Sequence, residues 1–491
     1  MFSDLTPLAE TNLPPLLCQP TAGRLLHSDS RQIQLGDIFI ACPGEYVDGR
    51  QYIPAAIANG ASFVFWEDDG KFVWQSEWNL PNQGITNLKQ RAGILAAQIY
   101  DNFSDGLSIY GVTGTNGKTS ISQWLAQALD LLGEKCAVVG TVGNGFWGNL
   151  QPATHTTPDP VTVQTLIHQF KKSQATCVAM EVSSHGLDQF RVNGVPFQTA
   201  IFTNLTRDHL DYHGSMEAYG AIKSRLFYWQ NLQHAVINID DAFGAELLGR
   251  LKKDKPQLQV ISYGFKQEAD IRINHFTASS DGMSVHLATP WGSGEVKTCL
   301  LGRFNAQNLA ACVGALCANG YEFDHAMRAM TKIRPATGRM DCIINSGKPL
   351  VVVDYAHTPD ALEKALTTLQ EIKPQNAKLW CVFGCGGNRD SGKRPLMGAA
   401  AVAGADKVVV TSDNPRMEDP QSIINDILPA VSNPEKVEVD RKAAIEFAVA
   451  QAAAGDIILI AGKGHETYQD VQGVKHHFSD FETAQAALAK R

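Results

Sequence analysis

The run Thr113-Gly114-Thr115-Asn116-Gly117-Lys118-Thr119 constrains this chain most, because it joins the apolar pattern LSIYGVT to the helical pattern SISQWLAQALDLLG. A strand that enters a helix through a glycine-rich turn is the context a phosphate loop requires. Glycines let backbone N–H groups converge on phosphate oxygens, and the helix N-terminus favours negative charge. In such a loop Lys118 reaches the β- and γ-phosphates and Thr119 offers its hydroxyl to Mg²⁺. The spelling differs from GxxxxGK[ST]: five residues, not four, separate Gly111 from Gly117. An incidental lysine in a glycine-rich turn is the plainer alternative, and both context and residue types speak against it.

Around this turn CAVVGTV, ATCVAMEVSS and FQTAIFTNLT read as buried strands with helices between them. That alternation predicts a parallel, doubly wound sheet. After Asp240 the pattern changes. DIRINHFTASSDGMSVHLAT has period two and turns at Ser280-Asp281-Gly282, which predicts an antiparallel hairpin, and FNAQNLAACVGALCANG predicts a helix. From about Gly338 the alternation resumes with PLVVVDYA, KLWCVFG, ADKVVVTSD and DIILIAGKG. Their polar continuations, Asp354 to His357, Gly386 to Asp390, Asp413 to Arg416 and Gly462 to Glu466, fall where open α/β sheets bind ligands. Before residue 105 the strands DIFIAC and ASFVFWE and the helix LKQRAGILAAQIY are mixed, with a surface loop expected over 67–80 and a linker over 101–106. The expected fold is α/β in three domains. A mixed α/β domain spans 1–105, a central P-loop-type doubly wound sheet spans 106–336, and a Rossmann-like α/β domain spans 337–491.

Composition excludes some classes. Hydrophobic residues make up 44% and charged residues 19%, the net charge is -8, and no Lys/Arg-rich block marks a nucleic-acid surface. No apolar run has the ~18 residues of a membrane span. The first residues lack the basic start and apolar run of a signal peptide. The ten cysteines form no CxxC pair, so reduced, buried thiols and a cytoplasmic location are expected, and no zinc site.

Further candidates follow the strands. Glu181 ends TCVAME, where a carboxylate beside a phosphate loop holds Mg²⁺ directly or through water. His209, in NLTRDHLDYH, is a candidate ligand for a second divalent cation or an orienter of a carboxylate. Lys223 has Tyr219 and Phe227 at i±4, and by spacing alone it reads as an ordinary snorkelling lysine. Asn305 and Asn308 precede an apolar helix, where one could cap it or read a base. Asn388-Arg389-Asp390 and Asp413-Asn414-Pro415-Arg416 place two arginines and two carboxylates at strand ends. That set suits a ligand carrying both ammonium and carboxylate groups, although Asp-Asn-Pro is also a turn signal.

Taken together, GVTGTNGKTS, MEVSSHGL, NLTRDHLDYHG, GRFNAQNLAA, DYAHTPD and GCGGNRD with KRPLM resemble the Mur ligase family of peptidoglycan synthesis, in order and over nearly the whole chain. The resemblance implies ATP and Mg²⁺ as cofactors and an acyl-phosphate route to an amide. The segment Asp29 to Arg31 and the DNPR at 413–416 are similar to members that join meso-2,6-diaminopimelate to UDP-N-acetylmuramoyl-L-alanyl-D-glutamate. By the same resemblance, Gly114, Thr115, Asn116, Gly117, Lys118, Thr119, Ser120, Asn305 and His357 belong to the ATP site. Ser28, Ser30 and the turn Glu45-Tyr46-Val47 face uridine, and His155, Thr156, Thr157, Ser183, Gln189 and Arg191 hold the rest of the nucleotide substrate. Arg389, Asp413, Asn414, Pro415, Arg416, Gly462 and Glu466 form the diaminopimelate pocket. Lys118, Glu181, His209 and Lys223 are the catalytic set, with Lys223 as a carbamate that joins Thr119, Glu181 and His209 as metal ligands. A monomer is expected. The rivals are a lysine-adding ligase on the same scaffold, a folate polyglutamylating enzyme, and a non-catalytic nucleotide switch.

Overall fold

The computed structural model describes residues 24–44, 47–100 and 106–491. Glu45, Tyr46, the stretch 101–105 and residues 1–23 therefore lie outside the described residues.

Strands β1 (Leu26–His27), β2 (Ile38–Ala41), β3 (Phe63–Glu67) and β4 (Asn82–Ile85) pair in parallel in that order. All of β2 and the first three residues of β3 are buried. Unbroken apolar runs of this kind suit a sheet covered on both faces. The helix Leu88–Ile99 covers one face and packs on the helix Pro160–Lys172, which ties this sheet to the next. The expected surface loop over 67–80 folds on its own aromatics. Phe72 lies against Trp66 with ring centroids 5.2 Å apart, and Trp74 meets Trp78 edge-on at 4.8 Å.

The central sheet contains β5 (Ser108–Thr113), β6 (Cys136–Val139), β7 (Asn144–Phe146), β8 (Asn149–Gln151), β9 (Cys177–Glu181), β10 (Thr199–Phe202), β11 (His234–Asn238), β12 (Gln259–Gly264), β13 (Ile271–Ser279), β14 (Gly282–Thr289) and β15 (Gly292–Thr298). Their order is β15-β14-β13-β12-β11-β10-β5-β9-β6-β7-β8. From β13 across to β6 every pair is parallel. The chain leaves β9 on one side of β5 and enters β10 on the other. The loops after all three strands therefore open at one edge, the crevice where open sheets take ligands. The expected hairpin is β13–β14. The structure adds a third antiparallel strand, β15, which the sequence reading lacked because GSGEVKT shows little apolar alternation. The helix Arg303–Ala318 is buried on nearly all sides between the sheet and the helix Lys118–Leu131.

The third sheet holds β16 (Asp341–Ile343), β17 (Leu350–Asp354), β18 (Leu379–Phe383), β19 (Lys407–Thr411), β20 (Lys436–Glu438) and β21 (Ile457–Ala461), in the order β16-β17-β21-β18-β19-β20. All pairs are parallel except β16–β17. A hairpin of β22 (Tyr468–Val471) and β23 (Val474–His477) follows, unannounced by its polar sequence.

Arg441 and Asp480 form a fully buried ion pair at 2.7 Å. Arg441 also donates to the carbonyls of Ser412 at 3.2 Å and Ala461 at 2.9 Å, just past the ends of β19 and at the end of β21. The pair thus ties the helices Arg441–Gln451 and Asp480–Lys490 to the strand ends that carry the polar motifs. Replacing Arg441 with Met strands a buried carboxylate, a loss of about 3–5 kcal/mol. Urea unfolding checks this, and a change under about 1 kcal/mol would show that Asp480 finds another partner.

Candidate active site

The turn after β5 is built as a phosphate loop. Gly114 has φ +143° and Gly117 has φ +90°. A Cβ on Gly114 would run into Thr203 Oγ1, and one on Gly117 would lie 2.8 Å from Asn308 Oδ1. Only glycine meets both demands, of conformation and of space. The loop is pinned to β10 by Thr115 N–H on the Asn204 carbonyl at 2.8 Å and by Asn116 N–H on Asn204 Oδ1 at 3.0 Å.

Two lysines converge on one backbone oxygen. Lys118 Nζ donates to Gly114 O at 2.9 Å and to Thr115 O at 2.8 Å, while Lys223 Nζ donates to Gly114 O at 2.8 Å. The spacing-based reading of Lys223 as a snorkelling surface lysine is corrected here: its side chain is buried and lies 4.4 Å from the centre of the Tyr219 ring. The physical reason is visible in the helix Met216–Ser224 and the turn after it. Tyr219 and Phe227, its i±4 neighbours, are themselves core residues, so the face they share points inward. Burial, and then the nearby Lys118, push the Lys223 amine well below its ordinary range. Burial also lowers Lys118, against the pull of Glu181 and Asp208.

At the end of β9, Glu181 Oε2 accepts from the Thr119 hydroxyl at 2.9 Å, and Oε1 accepts from Thr141 N–H at 2.7 Å. Past β10, His209 sits in the left-handed region, with Nε2 at 3.4 Å from Asp208. Burial, with help from the two lysines, pulls its ring down to about 4, so it is neutral at pH 7. Among the described residues no group of three His, Cys, Asp or Glu side chains is gathered as a metal cluster.

The expectation that Asn305 or Asn308 caps a helix is corrected. The cap position is Gly302, and the helix begins without a side-chain cap. Asn305 instead donates to the Leu301 carbonyl at 2.8 Å, and Asn308 donates to Asn305 Oδ1 at 3.0 Å.

The third sheet closes over this edge. A cleft of about 780 Å³ is lined by Thr115 to Ser120, Glu181, His209 and Asn305 from the central domain and by His357, Arg389, Asp413, Asn414, Arg416, Gly462 and Glu466 from the third. It brings the expected ATP and amino-acid residues together, apart from Gly114 and Pro415, which do not line it. Asn116 Nδ2 reaches Asp360 across the cleft at 3.1 Å. Two residues that the sequence reading did not assign also line it. Arg339 lies 4.4 Å over the Tyr355 ring and donates to Thr119 Oγ1 at 3.2 Å, and its buried Nε has no partner. Asp354 holds Met340 N–H at 2.7 Å and Ala356 N–H at 2.8 Å, and burial raises its pKa. Asp354 stood in a noted strand-end motif, whereas RPATGR, which contains Arg339, carried no chemical signal of its own.

Of the residues expected to hold the nucleotide substrate only Thr156 lines the cleft, and most of the others bond to one another just past the end of β9. Thr157 Oγ1 donates to the Glu181 carbonyl at 2.8 Å and accepts from Ser183 N–H at 3.0 Å. Arg191 donates to the Thr157 carbonyl at 2.8 Å and to Gln189 Oε1 at 2.6 Å. His155 Nδ1 lies 3.1 Å from Thr154 Oγ1. Ser28 donates to Asp159 at 3.1 Å, at the start of the helix Pro160–Lys172, Ser30 is buried, and Val47 is exposed.

Residues 24–98, 112–316 and 338–464 match three family models: the Mur ligase family catalytic domain, the Mur ligase middle domain, and the Mur ligase glutamate ligase domain. A protein of Neisseria meningitidis serogroup A named UDP-N-acetylmuramoyl-L-alanyl-D-glutamate--2,6-diaminopimelate ligase is 75% identical over 491 residues, all of both chains. The chain belongs to the Mur ligase family. A Mur ligase of the same name from Chromobacterium violaceum is 57% identical over 94% of each chain. A solved structure, again of a Mur ligase with that name, is 40% identical with a TM-score of 0.69, covering 95% of this chain and 94% of the other.

The loop geometry carries a direct consequence for nucleotide binding. Ala at Gly117 forces a positive φ on a side chain aimed at Asn308, at a cost of about 1–3 kcal/mol. ATP binding by calorimetry is therefore expected to weaken about tenfold or more. Unchanged affinity would show that this turn does not hold the phosphates.

Proposed function

We propose that this Mur ligase uses ATP to join meso-2,6-diaminopimelate to UDP-N-acetylmuramoyl-L-alanyl-D-glutamate through an acyl-phosphate. One observation carries the reading: a single cleft is lined by a phosphate loop and, opposite it, by an Arg/Asp/Asn/Glu pocket suited to an amino acid. A carboxylate is too poor an electrophile to acylate an amine. Phosphorylating the γ-carboxylate of D-glutamate supplies a leaving group, and in this scheme Lys118 and the loop amides neutralise the transferring phosphoryl group. The amine of diaminopimelate then attacks the carbonyl and phosphate departs. Arg416 grips the carboxylate at the far stereocentre, where lysine has none, and Arg389, Asp413, Asn414, Gly462 and Glu466 complete the pocket. His155, Thr156, Thr157, Ser183, Gln189 and Arg191, with Ser28 and Ser30, hold the nucleotide end. The 75% identity to a full-length relative of that name supports this choice over the lysine and folate rivals.

The donor chemistry fits magnesium. Thr119 hydroxyl and Glu181 carboxylate are hydrogen-bonded at 2.9 Å at the loop, and the neutral ring of His209 stands across it. When bound, the ion supplies charge neutralisation between the two anions. Lys223 suits carbamylation because a neutral amine is what attacks carbon dioxide. Its Nζ bonds to the carbon and releases a proton, turning the amine beside Lys118 into an anionic carbamate. The described domains divide the labour along the boundaries 1–105, 106–336 and 337–491, and the enzyme acts as a cytoplasmic monomer.

Purified chain with Mg²⁺, ATP and UDP-N-acetylmuramoyl-L-alanyl-D-glutamate is expected to release phosphate only when diaminopimelate is added, with lysine a poor substitute. Phosphate release without any amine, or preference for lysine, overturns the assignment. Lys118→Ala is expected to lower kcat/KM by about 10³-fold or more with the fold intact by circular dichroism.

A further inference from the structure

Lys463 ends the strand motif IILIAGK as a fully buried cation beneath the amino-acid side of the cleft, and neither the sequence reading nor the mechanism above uses it. Its Nζ donates to Asn414 Oδ1 at 3.0 Å and to Glu466 Oε2 at 3.0 Å, with the Tyr468 ring centre 5.5 Å away. Asn414 Oδ1 also accepts from the backbone N–H of Asp470, at 2.9 Å, on the hairpin β22–β23. Asn414 Nδ2 donates to Glu466 Oε2 at 2.7 Å.

These contacts fix the amide without ambiguity. An ammonium and a peptide N–H are donors only, so both must meet the carbonyl oxygen of Asn414. A carboxylate is an acceptor only, so Glu466 must face the NH₂. The amide nitrogen is thereby committed to the Glu466 side, with one N–H on Oε2 and a second to spare, and both residues line the cleft. The same hairpin holds the next element of the pocket. Arg416 N–H donates to the Asp470 carbonyl at 2.9 Å and its own carbonyl accepts from Gln472 N–H at 2.7 Å, which keeps Arg416 at φ +52°. Both Glu466 bonds fall on Oε2, which leaves Oε1 to meet an incoming ammonium.

We propose that Lys463 is a positioning residue for the amino-acid substrate: with the Asp470 amide it locks Asn414 so that an N–H donor and a carboxylate oxygen face one ammonium-and-carboxylate centre. This rests on the ligase reading above. Without Lys463 the Asn414 amide loses one of the two donors that set its orientation, and Glu466 loses its buried counter-ion. The free energy of ATP binding and of the chemical step lies elsewhere in the cleft.

The test is steady-state kinetics of the full chain with Lys463→Met, Asn414→Ala and the double variant. For Lys463→Met, KM for diaminopimelate is expected to rise tenfold or more, while kcat at saturating amine and KM for ATP stay within about twofold. The double variant is expected to lose less than the two single losses combined, because Lys463 acts in part through that amide and in part through Glu466. Unchanged KM for diaminopimelate, or additive losses in the double variant, overturns the proposal. If Lys463→Met does not fold, Lys463→Leu, which likewise has no donor, replaces it under the same criteria. Failure of the ligase reading would appear in the unmodified chain, which would not use diaminopimelate, whereas failure of this inference appears only in the variants.

Discussion

Two lysine side chains share one acceptor, the carbonyl oxygen of Gly114, and much of the site is arranged around that fact. In a buried place, two ammonium groups a hydrogen bond from the same oxygen disfavour each other's charge. Burial lowers the pKa of both amines; the charges of Glu181 and Asp208 oppose that shift at Lys118, and the nearby Lys118 adds to it at Lys223. The glycine that provides the oxygen is also the residue that no other could replace, because a side chain there collides with Thr203.

The cleft depends on two parallel sheets meeting by their carboxyl edges. Each edge contributes what its strands end in: amide donors, Thr119, Glu181 and His209 from the central sheet, and Asp354, Asp413 and Gly462 from the third. Little of the chemistry comes from within a strand. This division keeps the apolar runs uninterrupted, so both sheets can be buried on both faces while polar groups gather only where the strands stop. The buried pair of Arg441 and Asp480 serves the same end from below by holding the carbonyls of Ser412 and Ala461.

The comparisons and the geometry bear on different parts of the account. Membership in the Mur ligase family rests on identity over the full chain. The placement of individual side chains rests on hydrogen bonds: of the residues proposed to hold the nucleotide substrate only Thr156 lines the cleft, while Thr157, Ser183, Gln189 and Arg191 are bonded to one another just past the end of β9.

The sequence by itself determined the α/β class, the long parallel strands and the phosphate loop. These follow from local rules: apolar runs bounded by glycine and polar residues, and a glycine pattern that only one backbone path satisfies. It also placed the polar motifs at strand ends. It missed β15 and the hairpin β22–β23, whose residues are polar or small and acquire their strand form only by pairing with a neighbour. It misjudged Lys223, because whether a helix face looks outward is decided by what packs on it. It could not find Arg339 or Lys463, whose roles depend on Thr119 and Asn414, residues distant in the chain that only the tertiary fold brings within reach.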